Sequence, residues 1–194
     1  MKDQPKLFLI GGPNRAGKST FAHEFLADNP DFIFLNADEI AKSIQPENVR
    51  GARIPAGRAF VGRMAELRTM RANLVVESTL SGLSLAQQLR QFVAAGYHIT
   101  LVYVFLPTWE LSANRVAGRV LEGGHDIPMA DIMRRFARSK KNFWHTYRLL
   151  ADEWQMVLNA DARFVYVAQF QNHNLTVQVS PVFQAFIEEQ GLNS

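Results

Sequence analysis

The chain has 194 residues, 47% of them hydrophobic, with 21 basic against 18 acidic side chains and no cysteine. That length supports one domain with a sizeable core, and no apolar run approaches the roughly 20 residues that a membrane-spanning helix needs. The lack of cysteine excludes disulfides, thiolate metal sites and cysteine nucleophiles, and a cytoplasmic protein without membrane contact is expected.

The first element in chain order is the apolar run Leu7–Ile10, a short strand that enters the stretch GGPNRAGKST. Gly12, Gly17, Lys18 and Ser19 stand at the spacing G-x-x-x-x-G-K-[ST], the pattern of a phosphate-binding loop. Glycines let the backbone approach a polyphosphate, and a helix starting at Lys18 or Ser19 presents unpaired N–H groups and the positive end of its dipole. Gly12, Pro13, Asn14, Arg15, Ala16, Gly17, Lys18, Ser19 and Thr20 are therefore the expected contacts of ATP. Lys18 would reach the outer phosphates and the Ser19 hydroxyl would ligate Mg²⁺. A tight strand-to-helix turn would account for the glycines but not for Lys18 and Ser19 in register.

A helix over about 18–28 is followed by a strand at Phe32–Leu35, helices at 38–44 and 57–72, a strand at Leu74–Val76 and a helix at 84–95. Then come a strand at Ile99–Leu106, helices at 109–121 and 129–147, strands at Phe164–Val167 and Leu175–Val179, and a closing helix at Pro181–Gln190. This alternation predicts an α/β fold, a mostly parallel sheet with helices on both faces. Ligands of such sheets gather beyond the carboxyl ends of the strands. Asn36 and Asp38 follow the second strand, and Glu77, Ser78 and Thr79 follow the third. An acid so placed reads equally as a helix cap or as the base for an attacking hydroxyl, and Asp38 divides evenly between the two on spacing alone. The nearest match to a Walker-B strand is LVVE, ending on Glu77. With no evident group to activate water, the pattern leans toward transfer to a hydroxyl rather than hydrolysis.

Fifteen of the basic residues are arginine, and they concentrate in residues 50–71 and 115–148. Neither block is interleaved with the aromatics of a base-stacking module, so nucleic acid ranks last among partners. On the helix from Met129, the residues Met129, Ile132, Met133, Phe136, Phe143, Trp144 and Tyr147 form one apolar face, a core stripe, with Arg134, Arg135, Arg138 and Lys141 off it. Arg115 and Arg119 share a face of the preceding helix, and Gly123-Gly124 breaks that helix. Helix, break and helix with arginines on both arms is what a closing lid over transferring phosphates requires. His125 beside the glycines reads as a loop contact, since no second ligand stands at metal spacing.

Together, GGPNRAGKST, NADEIAK, VVESTLSG, VYVFLPTWELSANRVAGRVLEGGHDIP and IMRRFARS resemble the zeta toxin family of P-loop kinases, and within it the short, chromosomally encoded branch. The likeness runs in order from about residue 6 to residue 160. It implies a P-loop NTPase fold, a single kinase domain over 1–194 with a helical lid at about 115–138, and an ATP- and Mg²⁺-dependent kinase. The best-known members phosphorylate UDP-N-acetylglucosamine, so the implied acceptor is a nucleotide-sugar hydroxyl, and a separate antitoxin protein is an implied partner. By the same resemblance Lys18 and Ser19 are the phosphate and Mg²⁺ ligands, and Asp38 is the general base. Asn36, Glu77 and Thr79 lie on the substrate side, and Arg119 with Arg134 or Arg135 supplies the lid arginines. Leu80-Ser81-Gly82 departs from the family's toxins, which carry a basic residue there. A second class of function fits the same loop: a regulatory ATPase module that controls a protein partner.

Overall fold

The computed structural model describes residues 4–47, 51–121, 127–160 and 163–191. Its elements are β1 (Lys6–Gly11), α1 (Lys18–Asp28), β2 (Ile33–Asn36), α2 (Ala37–Ile44), α3 (Arg53–Thr69), β3 (Leu74–Ser78) and α4 (Ser84–Ala94). They continue with β4 (His98–Phe105), α5 (Trp109–Leu121), α6 (Met129–His145), a 3₁₀ turn (Tyr147–Leu150), β5 (Glu153–Ala160), β6 (Arg163–Gln171), β7 (Asn174–Val177) and α7 (Ser180–Glu188). All seven strands share one sheet in the order β2-β3-β1-β4-β5-β6-β7. The first five pair in parallel, and β6 and β7 add an antiparallel margin.

β1 lies between β3 and β4, and Leu7, Leu9 and Ile10 are buried on both its faces, as expected for a central parallel strand. Leu7, Leu9, Val76, Leu101 and Tyr103 meet α3, α4, α6 and α7 through Met64, Leu89, Phe143 and Phe186. On the opposite face Ile10, Val75, Val102, Val104 and Val157 meet Ala22, Phe21 and Phe25 of α1 and Phe136 of α6. The connection after β1 runs to one side of the sheet and the crossover from β3 to β4 returns to the other. A crevice therefore opens at the carboxyl end of β1. No helix among the described residues is long and apolar enough to cross a membrane.

The structure departs from the sequence reading in four places. β5 was not expected: Glu153, Gln155 and Asn159 interrupt its apolar residues, yet it pairs with β4 over six positions from Thr100↔Glu153 to Phe105↔Leu158. α3 begins at Arg53, because Pro55 falls in its first turn, where a missing N–H has no helical partner to lose. α6 stops at His145, leaving Tyr147 to the 3₁₀ turn. Met129 and Met133 are 60% and 44% exposed, outside the core that takes Ile132, Phe136, Phe143 and Trp144. A helical period puts residues on one face without saying whether anything lies opposite.

Candidate active site

The turn after β1 must be glycine at two positions. A Cβ on Gly12, at φ +149°, would stand 1.9 Å from the Val104 carbonyl oxygen of β4, and one on Gly17, at φ +95°, would stand 2.4 Å from Asn159 Nδ2. Gly17 also caps α1 with no side-chain hydrogen bond, and the first turn of α1 contains no acidic residue. The open N–H groups there suit an anion. Lys18 is buried, and its Nζ donates to Pro13 O at 2.9 Å. Burial holds its pKa below the usual lysine value, while the carboxylates of Glu77 and then Asp38 oppose that shift.

Ile10 of β1, Glu77 of β3 and Asn36 of β2 stand in one row across the sheet. This register brings Glu77 to Ser19, whose hydroxyl donates to Oε2 at 3.0 Å and Oε1 at 3.2 Å, and within 4.0 Å of Lys18 Nζ. The Ser19 hydroxyl and the Glu77 carboxylate are the hard oxygen donors that Mg²⁺ takes, so the residues fit the ion. The buried cation Lys18 and the uncapped helix start fit the phosphates of ATP.

Asn36 is the N-cap of α2, its Oδ1 accepting from Asp38 N at 2.7 Å. The cap function that spacing offered to Asp38 thus belongs to Asn36, and the Asp38 side chain is exposed at the helix start. Thr79 Oγ1 and Ser81 Oγ lie 2.9 Å apart. Between them Leu80 has φ +54° and is buried against Gly11, where a Cβ would meet Leu80 Cδ1 at 2.3 Å. Asn142 of α6 donates to Leu80 O at 2.8 Å, and the Tyr147 hydroxyl donates to Gly82 O at 2.6 Å. Burial pushes the Tyr147 phenol up to about 12, so it remains a donor at neutral pH.

Arg134 is exposed and pairs with Asp131 of its own helix at 2.7 Å, and Arg135 is half-buried on the next position. The Arg119 side chain, Gly123, Gly124 and His125 lie outside the described residues. Arg115 turns toward the phosphate loop instead, donating to Arg15 O at 3.3 Å and Asn159 O at 3.5 Å. Sequence reasoning did not single out Ser112, Asn142 or Asn159. None of the three carried a distinct signal: Asn142 shares its helix face with Arg138, Ser139 and His145, Asn159 shares its strand with Glu153 and Gln155, and Ser112 is an ordinary helix residue.

Residues 7–142 match the AAA_33 family, an AAA domain. The chain belongs to that family. An uncharacterized protein of Haemophilus influenzae is 34% identical over 124 residues, covering 64% of this AAA_33 chain and 87% of that protein. The fold is similar to the AvrRxo1-ORF1:AvrRxo1-ORF2 complex with sulphate ions, at TM-score 0.75 and 20% identity over 99% of this chain and 66% of that one. The same complex with ATP gives TM-score 0.73 and 20% identity over 99% and 66%. The PezAT chromosomal toxin–antitoxin system of Streptococcus pneumoniae gives TM-score 0.67 and 18% identity over 98% and 87%. The chain thus spans about two thirds of the AvrRxo1 chain it matches. At the level of fold these likenesses bear out the P-loop α/β architecture and the resemblance to zeta-type toxins. Asn159 and Tyr147 lie beyond the residues matched to AAA_33, yet both hold the site's loops.

Proposed function

We propose that this AAA_33 chain is a phosphotransferase that uses ATP and Mg²⁺ to phosphorylate a hydroxyl of a small acceptor. A nucleotide-sugar such as UDP-N-acetylglucosamine is the acceptor class that the zeta-toxin resemblance implies. The observation that carries the reading is the meeting of Lys18, Ser19 and Glu77 at the carboxyl ends of β1 and β3, with Asp38 beside them at the start of α2. ATP supplies the phosphoryl group, and Mg²⁺ offsets its charge. Lys18 and the amides that open α1 bind the phosphates. Ser19 and Glu77 would hold the metal directly or through its waters, and the Ser19–Glu77 hydrogen bond supports this metal-side role for Glu77 beside the substrate contact that the resemblance implies. Asp38 accepts the acceptor's hydroxyl proton as the oxygen bonds to the terminal phosphorus and the bridging oxygen leaves with ADP.

Asn36 holds Asp38 in place, and Thr79 contacts the acceptor. Arg119 with Arg134 or Arg135 stabilises the transferred group from a lid at about 115–138 of a single 1–194 domain. An antitoxin is the protein partner that the resemblance implies, and the cytoplasm is the compartment that supplies ATP.

The test is incubation of the full chain with γ-labelled ATP, Mg²⁺ and a panel of UDP-sugars, nucleosides and a metabolite extract, beside Asp38→Ala. A labelled product that the variant makes far more slowly is expected. Nucleotide binding without any labelled product would replace this reading by the regulatory ATPase module.

A further inference from the structure

Three successive carbonyls of the phosphate loop are each held from outside the loop. Ser112 Oγ of α5 donates to Asn14 O at 2.6 Å, Arg115 Nη1 of α5 donates to Arg15 O at 3.3 Å, and Asn159 Nδ2 of β5 donates to Ala16 O at 2.8 Å. Their donors come from 98, 100 and 143 residues further along the chain. Ser112 is fully buried and Asn159 is 6% exposed, so neither hydrogen bond competes with much water.

The consequence follows from peptide geometry. In a trans peptide the carbonyl of one residue and the N–H of the next point in opposite directions, and none of the described bonds is cis. Drawing the carbonyls of Asn14, Arg15 and Ala16 onto α5 and β5 turns the amides of Arg15, Ala16 and Gly17 the other way. Of these, the Ala16 amide makes a long turn contact, 3.4 Å to Pro13 O. Arg15, at φ +59°, and Gly17, at φ +95°, supply the left-handed steps that gather successive amides into an anion-binding concavity. Asn159 is the hub of this arrangement: it also packs on Gly17, and its own carbonyl receives Arg115 Nη2.

We propose that Ser112, Arg115 and Asn159 are positioning residues that clamp the loop's carbonyls outward and so preset its amides for a polyphosphate before the nucleotide arrives. The inference rests on the nucleotide reading above and deepens it. Preorganised donors lose no binding free energy to ordering the loop, so loosening the clamp weakens phosphate binding without touching a ligand-contacting side chain.

The test is titration of the full chain with ADP and, separately, with pyrophosphate, for wild type, Asn159→Asp, Ser112→Ala and Arg115→Gln, with hydrogen exchange of residues 14–17 and thermal melting of the unliganded proteins. Ser112→Ala removes a donor without changing the charge beside the phosphate site and so reads the clamp alone, whereas Asn159→Asp, which keeps the shape, and Arg115→Gln also make the site more negative and count only where Ser112→Ala moves in the same direction. Affinity for both probes is expected to fall about tenfold, with faster exchange confined to the loop and a small fall in melting temperature, roughly 2–4 °C. Folded variants that bind both probes as wild type does would overturn the clamp while leaving nucleotide binding standing. Affinity loss matched by faster exchange across the core strands would make these residues merely structural and also overturn it. A wild type that binds neither probe removes the nucleotide reading itself, and the clamp with it.

Discussion

Two helices begin at the same end of the sheet, and they begin in opposite ways. α1 starts on Gly17 without a side-chain cap and without an acid in its first turn, and Lys18 stands there instead. α2 starts on Asn36, which caps it, and carries Asp38 and Glu39 in its first turn. Helix starts favour negative charge, so α2 satisfies its own dipole while α1 leaves that preference to be met by something else. The contrast divides the site into two halves. One is built to receive an anion, and the other presents a carboxylate beside it. A crevice with two uncapped starts would bind phosphate without offering a base, and one with two acidic starts would repel it. Glu77, between them on β3, touches the first half through Ser19.

The largest effect that would break this division is expected at Lys18. Lys18→Met should lower phosphoryl transfer by about 10³-fold, since it removes a preorganised charge from the transferring group. Single-turnover rates with γ-labelled ATP read the loss, and a variant within tenfold of wild type would end the assignment of α1 as the phosphate half. Asp38→Ala should cost transfer on the order of 10² while ADP affinity, measured by calorimetry, stays that of wild type. A parallel fall in ADP affinity would move Asp38 into the phosphate half. Glu77→Gln should raise the Mg²⁺ concentration needed for half-maximal rate by about tenfold, read from a metal titration, and an unchanged midpoint would return Glu77 to a purely substrate-side role. The smallest effect belongs to Asn36→Ala, which removes the α2 cap at a cost of about 1 kcal/mol, a fall in melting temperature of roughly 2–4 °C. A wild-type melt would show that the Asn36–Asp38 contact contributes nothing to α2.

Much of the phosphate half was legible in the chain. The residues from Leu7 to Thr20 carry their own instruction, because strand, bare turn and helix start are local, and Lys18 and Ser19 need only that turn to face the ligand. The other half was legible as candidates rather than as roles. Asp38 read equally as cap and base, and what separates the two is which side chain accepts the Asp38 amide, a contact that spacing does not specify. Glu77 resembled a substrate contact of the family, and the parallel register of β3 beside β1 adds Ser19 as its partner. Arg115 and Arg119 shared one arm of the expected lid, and the packing of α5 turns Arg115 onto the loop.

By itself the sequence determined the α/β alternation, the phosphate loop and the residue types able to transfer a phosphoryl group, because these depend on local periodicity and on spacing within single turns. Tertiary structure alone decided the partners of those residues. β5 had to take its place beside β4 before Asn159 could reach Ala16 O, and α5 had to cross the loop before Ser112 could reach Asn14 O. Such contacts join residues 143 and 98 positions apart, and a polar side chain does not reveal which distant carbonyl it will meet until the sheet fixes their register.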